Sequence, residues 1–281
     1  MKNVLVLALC LTMPGISAFA DDATPAASAP TNISEAPSSA LPSALSLDLL
    51  YASYFGVLEG SKLDQFGSPY QVNRSGQMTN QPMTFASDFT GAYLITPDIG
   101  VGTYIEANLT PFLGANVQFL DVGLTTFDKK IVLAEGLTLY ANAIVEAPMS
   151  SYDLNRGMYA AFESTPFIRY EVPHSRIALG SWNEIKNYAG SQYGTLLKTY
   201  FNPYVQYRIT ARFSANLGYE LEYDHLAGTS GFTVMESDFQ PGVIIALTRD
   251  FYFNPYLQFF TNNRLTMDSA AFGAILVGRV F

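Results

Sequence analysis

The sequence has 281 residues, 49% of them hydrophobic and 14% aromatic, with a formal net charge of −9. Charged residues make up only 14%, few for a soluble protein, and the acidic balance with 15 Lys and Arg argues against nucleic acid as a partner. Beyond the N-terminus no run of about 18 apolar residues suggests a transmembrane helix, so the hydrophobicity is expected to be spread through alternating strands.

The chain opens as a secretory signal. Met1-Lys2 is a short positive start, Val4 to Leu11 an apolar stretch, and Ala18-Phe19-Ala20 a small-residue site after which cleavage is expected, giving a signal peptide over 1–20. Pro14 and Gly15 interrupt the stretch before it could span a membrane. Cys10 lies inside it, preceded by the bulky Leu9 and too early for a lipoprotein anchor. A mature chain would then hold no cysteine, which suits an oxidising periplasmic route without a disulfide framework. Residues 21–44, rich in Ala, Ser and Pro, have too few bulky apolar groups to bury a core and read as a disordered periplasmic leader, with a tether as the functional alternative.

From Leu45 the period becomes two. Leu45, Leu47, Leu49, Tyr51, Phe55 and Val57 alternate with Ser46, Asp48, Ala52 and Gly56, which predicts a strand with its apolar set in lipid. The clearest strand is Phe213 to Asp224: Phe213, Ala215, Leu217, Tyr219, Leu221 and Tyr223 share one face, and Ser214, Asn216, Gly218, Glu220, Glu222 and Asp224 the other. A soluble sandwich would show the same alternation, so the links decide. Short turns are predicted at 96–98, 128–130, 173–175, 210–212 and 248–250, and longer links near 59–82, 110–113, 147–157, 188–195, 226–236 and 262–269. Short and long links alternate, as in an up-and-down barrel of about twelve strands, each near the length a tilted strand needs to cross. If Thr110-Pro111-Phe112 is not a turn, the number falls to about ten.

Two details strain this reading. Glu135 shares a face with Leu133, Leu137 and Leu139, and a carboxylate at the lipid midplane is costly. Prolines stand beside aromatic residues at Pro111-Phe112, Pro166-Phe167, Pro203-Tyr204 and Pro255-Tyr256, where a strand start or bulge is expected because proline cannot donate to a ladder. The last two belong to a local repeat, Tyr200 to Tyr207 matching Tyr252 to Phe259, with Gln206 and Gln258 in equivalent places.

The exported start, the alternation, the alternating link lengths and the terminal run Phe272 to Phe281, closing on an aromatic residue, resemble a bacterial outer-membrane β-barrel, porin-like in type and with no narrower family. That resemblance implies an all-β, integral-membrane antiparallel barrel over 45–281 with both termini periplasmic. It further implies contact with outer-membrane lipid and lipopolysaccharide, and Phe281 as the signal read by the barrel assembly machinery.

The polar faces of the strands place Asp48, Asp88, Glu106, Glu171, Glu220 and Glu222 in the lumen, with Arg169 and Arg208 as cationic counterparts and Gln206 and Gln258 as neutral ones. Acidic groups in excess attract cations and repel anions, so a passive channel for ion transport or for small neutral or cationic solutes is expected. The alternatives are a polar core that plugs the barrel and leaves a structural or adhesive role to the loops, or an outer-membrane lipid hydrolase. The hydrolase needs a Ser, His and Asp or Asn constellation at the outer rim. Of the two histidines, His174 belongs to a short turn, and His225 follows Asp224, which in a strand points to the opposite face. No catalytic residue is therefore assigned. There is no His pair at helical spacing, Cys cluster or phosphate-binding glycine loop, so no metal or cofactor is expected. Trp182, the single tryptophan, is expected in an interface belt with Tyr188 and Tyr193.

Overall fold

A computed structural model describes residues 50–96, 99–114, 116–248, 250–263, 265–267 and 269–280. The signal, the leader, Asp48 and Phe281 lie outside the described residues. The elements in chain order are β1 (Leu50–Lys62), β2 (Tyr70–Val72), β3 (Met78–Pro82), β4 (Thr84–Leu94), β5 (Ile99–Thr110), β6 (Asn116–Ala134) and β7 (Leu137–Pro148). After a short helix α1 (Ser151–Asn155) come β8 (Ala160–Ser164), β9 (Phe167–Glu171), β10 (Ile177–Ala189), β11 (Thr195–Arg208), β12 (Phe213–Leu226), β13 (Phe232–Ala246), β14 (Phe251–Phe260) and β15 (Ala271–Val280).

Apart from the small β2–β3 hairpin, every strand pairs antiparallel with its neighbours, and β15 returns to β1 in the register Ala52↔Val280 to Lys62↔Ala271. The sheet thus closes on itself, leaving no edge exposed. Both β8 and β9 lie between β7 and β10 and form one interrupted crossing, so thirteen strand segments make a twelve-stranded barrel. The interruption falls at Thr165-Pro166, where proline has no N–H for the ladder. Side chains take over there: Asn142 Oδ1 accepts from the Thr165 amide at 2.8 Å, and Asn183 Nδ2 donates to the Pro166 carbonyl at 3.0 Å.

The three longest connections, after Lys62, Pro148 and Phe260, share one end. This end, the loop end, carries the segments 63–83, 111–114, 149–159, 190–194, 227–231 and the described residues between Phe260 and Ala271; the turn end carries 95–96, 135–136, 172–176, 209–212 and the described residues between Ala246 and Phe251, together with the start of β1 and the finish of β15. The link after Thr110 is present, which gives twelve strands rather than ten.

The turn expected at 128–130 is displaced. β6 continues to Ala134 and reverses at Glu135-Gly136, with Leu133↔Thr138 and Ala134↔Leu137 flanking it. Gly136, the second residue of this two-residue reversal, has φ 73°, a positive φ that a glycine adopts without strain. Glu135 is consequently an exposed turn residue, and the lipid-facing carboxylate feared from the sequence does not arise.

The exterior is apolar and the interior polar. Leu124, Val145, Phe162, Ile168, Leu179, Val205 and Leu217 are exposed outward, whereas Asp121, Glu146, Glu163, Lys186, Glu222 and Asp238 are buried. This inverts the arrangement of a soluble protein and suits a barrel surrounded by hydrocarbon. β1 departs from its expected facing. Phe55 points inward, 4.9 Å centroid to centroid from Trp182, while Tyr54 lies against Phe89 at 5.0 Å. Only one facing lets β1 present Glu59 at the loop end inside the polar lumen, and Phe55 shares that parity.

Candidate functional site: the lumen

The inward side chains form two zones of different chemistry. In the loop-side half, four successive crossings, β5, β6, β7 and β8, each bring one carboxylate to the Lys186 ammonium of β10. The Nζ lies 2.7 Å from Glu146, 3.2 Å from Glu163, 3.4 Å from Glu106 and 3.8 Å from Asp121. Lys186, Glu146, Glu163 and Asp121 are all buried, and a buried charge persists only when paired and hydrogen-bonded. The lysine therefore ties together a wall that backbone ladders join only pairwise. Tyr188, two residues on and facing the same way, lies 4.5 Å beneath the Arg156 guanidinium, which also pairs with Asp153 of α1 at 3.2 Å. The Ser150 hydroxyl caps α1 by accepting from the Asp153 amide at 3.1 Å, as N-cap serines do. The link 149–159 is thereby anchored to the inner wall.

A second group faces it. Lys198 of β11 pairs with Glu184 at 3.1 Å and Glu222 at 4.0 Å, and Glu222 also binds Arg74, which descends from the β2–β3 hairpin. Desolvation lowers the pKa of Arg74, but Glu222, Glu236, Asp224 and Glu59 outweigh it, and the net shift is upward from the ordinary guanidinium value. Asp224 accepts from the Thr195 hydroxyl at 2.7 Å, and Glu220 from the Tyr200 phenol at 2.8 Å. Gln258 donates to both Glu236 and Asp238 at 2.9 Å. Glu220, Glu236 and Asp238 have carboxylate oxygens within 4.8 Å of one another, yet no ion pair reaches them among the described residues.

The turn-side half is open. A cavity of about 890 Å³ occupies it, and its aromatic wall runs from Tyr140 to Phe167 (5.9 Å) and from Phe167 to Tyr204 (6.2 Å, nearly parallel). Arg169 of β9 donates to Gln206 of β11 at 2.7 Å and to the Tyr204 hydroxyl at 3.5 Å. The intervening β10 residue is Gly180, paired with both Arg169 and Tyr204, where a side chain would meet the tyrosine ring. Arg169 also pairs with Glu171 at 3.3 Å, and Arg208 approaches the same carboxylate at 3.9 Å.

Of the residues singled out in the sequence, Glu106 joins the Lys186 group, and Glu220, Glu222 and Gln258 the opposite loop-side group. Arg169, Glu171, Gln206 and Arg208 come together in the turn-side half. Asp88 lines the inner end of the cavity with Tyr104. Arg169 and Arg208 find their carboxylate in Glu171, Lys186 pairs with Glu106, and Lys198 and Arg74 pair with Glu222, whereas Glu220 meets no cation in an ion pair among the described residues. These three cations, with Asp121, Glu146 and Glu163, were missed, although strand parity alone could have found the strand residues: Glu146 is six residues from Tyr140 and shares its face. Trp182 is not in an interface belt. It points inward between Phe55 and Tyr200, at 4.9 and 5.3 Å, because it shares parity with Lys186. His174 occupies the turn 172–176 with φ 57°. The His225 ring lies 3.1 Å from the Gly231 carbonyl through Nδ1, and Asp224 binds Thr195 inside, so the two adjacent residues do not act as a pair.

No protein-family model matches the chain, and no curated protein matches it. Among solved structures it is similar to an outer membrane channel from Pseudomonas putida F1, at 10% identity over 82% of this chain and 95% of that one, with a TM-score of 0.49. It is also similar to Salmonella typhi OmpF in complex with daunomycin, at 9% identity over 82% of this chain and 97% of that one, with a TM-score of 0.40.

Proposed function

We propose that the protein is a bacterial outer-membrane channel, with both termini on the periplasmic side, that passes small neutral or cationic solutes. The observation that carries this reading is the loop-side lumen, where carboxylates outnumber Lys186, Lys198 and Arg74 and where Glu220, Glu236 and Asp238 form no ion pair, among the described residues. Carboxylates lining an aqueous path favour cations and exclude anions. The apolar exterior and the closed ladder support residence in a membrane, and the short turns and long loops support an orientation with the turn end in the periplasm. Asp88, Glu106, Glu220, Glu222 and Gln258 would line the path on the loop side, and Arg169, Glu171, Gln206 and Arg208 on the turn side.

A second reading has its own observation. The Lys186 group is so completely buried that it could serve as a polar plug in a non-conducting barrel, leaving function to the loops. Refolded protein in a planar bilayer under a KCl gradient separates the two. Discrete conductance steps with a reversal potential on the cation side are expected, and a correctly folded but silent barrel would discard the channel in favour of the plug.

A further inference from the structure

The turn-side cavity carries the opposite charge to the half above it. Arg169, Arg208 and Arg212 line it, and the carboxylate beside them is Glu171; Asp88 and Glu163 belong to its inner end, where Glu163 is held by Lys186. Arg212 makes no ion pair among the described residues, and Arg208 has only the long 3.9 Å approach to Glu171. Guanidinium groups thus stand at the mouth with donors to spare. Directly inside them lie the Tyr140, Phe167 and Tyr204 rings, and across the cavity the apolar side chains of Ile244, Ile275 and Val277. Water alone would not favour apolar walls at these inward positions of a polar lumen.

We propose that this cavity is a binding site for a small organic anion with a planar apolar body, an aromatic carboxylate being the class that fits. The carboxylate would accept hydrogen bonds from Arg208 and Arg212, which match its fork geometry, while the ring lies against Phe167 and Tyr204. At about 890 Å³ the cavity is within the range that holds a drug-sized molecule. The acidic layer above repels such a ligand, so it enters and leaves by the turn end and occupies the cavity without crossing the barrel. Binding does not depend on whether the barrel conducts.

Trp182 is the only tryptophan in the chain and lines this cavity, so its fluorescence reports occupancy directly. The experiment titrates refolded full-length protein in detergent micelles with 4-nitrobenzoate, with neutral 4-nitrobenzamide and cationic 4-nitrobenzylamine as controls. Saturable quenching by the carboxylate is expected at concentrations roughly tenfold below those the amide requires, and the amine should be weakest. Arg208→Gln and Arg212→Gln, both at exposed positions, should each weaken the carboxylate severalfold and leave the amide unchanged. The heat-modifiable mobility of each variant confirms that the barrel has formed. Equal quenching by all three probes, or quenching by the carboxylate that both variants retain in full, would overturn the proposal. Because the readout is equilibrium binding in micelles, its failure is distinguishable from a failure to conduct.

Discussion

The two halves of the lumen are built from the same alternating strands and yet behave as opposites. On the loop side, Lys186 and Lys198 sit among carboxylates contributed by the surrounding crossings, and the Lys186 group is buried. On the turn side, arginines and aromatic rings surround a cavity, and the ion pairs are sparse and partly exposed. Charge is therefore used structurally in one half and left available for a ligand in the other. Strand direction sorts residues between the halves. Gln206 and Gln258 hold the same place in the repeated segment, but β11 runs toward the turn end and β14 toward the loop end, so one meets Arg169 and the other Glu236 and Asp238.

The sharpest way to break this contrast is Lys186→Met. It leaves Glu106, Asp121, Glu146 and Glu163 without their shared cation, and removing one partner from a buried ionic group typically costs about 3–5 kcal/mol. Urea unfolding of the refolded protein in lipid vesicles should show a loss of this size. Adding Glu146→Gln should restore part of it, since one buried charge fewer then needs compensation. Arg208→Gln in the other half should leave the midpoint nearly unmoved, its ion pair being exposed. Equal losses in both halves would mean that the arginine pair is as structural as the lysine group.

A smaller effect is expected from neutralising the unpaired carboxylates. Glu220→Gln with Asp238→Asn keeps the shape and the donors Tyr200 and Gln258 but removes two acidic groups that no ion pair holds among the described residues. The reversal potential in a KCl gradient should move toward zero, with cation preference falling roughly twofold at 0.1 M salt, where screening acts over about 10 Å. A reversal potential that stays put would assign selectivity elsewhere in the lumen.

The barrel was legible because alternation and link length are local properties: each strand declares its two faces, and each turn declares where the chain reverses. The slip at 128–130 shows the limit. Asp128-Lys129-Lys130 looks like a turn by polarity, but Glu135-Gly136 supplies the left-handed residue that a tight reversal requires. The lumen was legible only as a set of inward positions. Which carboxylate meets Lys186 depends on register and stagger between crossings far apart in sequence, as in Glu106 and Lys186, and no local pattern carries that. Phe55 and Trp182 were misplaced for a related reason: apolar residues inside the barrel defeat the rule that apolar means outward.

Arg74→Ala tests the contact between the β2–β3 hairpin and the inner wall. Arg74 joins the β2–β3 hairpin to Glu222, and its side chain is 50% exposed whereas that of Glu222 is 6% exposed. Arg74 is half exposed and Glu222 keeps Lys198 as a partner, so loss of Arg74 should cost about 1 kcal/mol, far less than Lys186→Met, and move the unfolding midpoint only slightly. The hairpin keeps another hold, Asn263 Nδ2 donating to the Ser75 carbonyl at 2.6 Å, and loss of Arg74 should loosen it without releasing it. Single-channel conductance should rise and cation preference strengthen, because Glu222 is then neutralised by Lys198 alone. Salt provides an independent check. Raising KCl from 0.1 to 1 M shortens the screening length from about 10 to about 3 Å. After correction for bulk conductivity, the wild-type protein should approach the variant, while the buried Lys186 group, shielded from counterions, holds the barrel equally firmly at both concentrations. A salt-driven loss of stability comparable to that of Lys186→Met would instead show that water and ions reach the loop-side wall freely, and that the two halves differ in charge but not in packing.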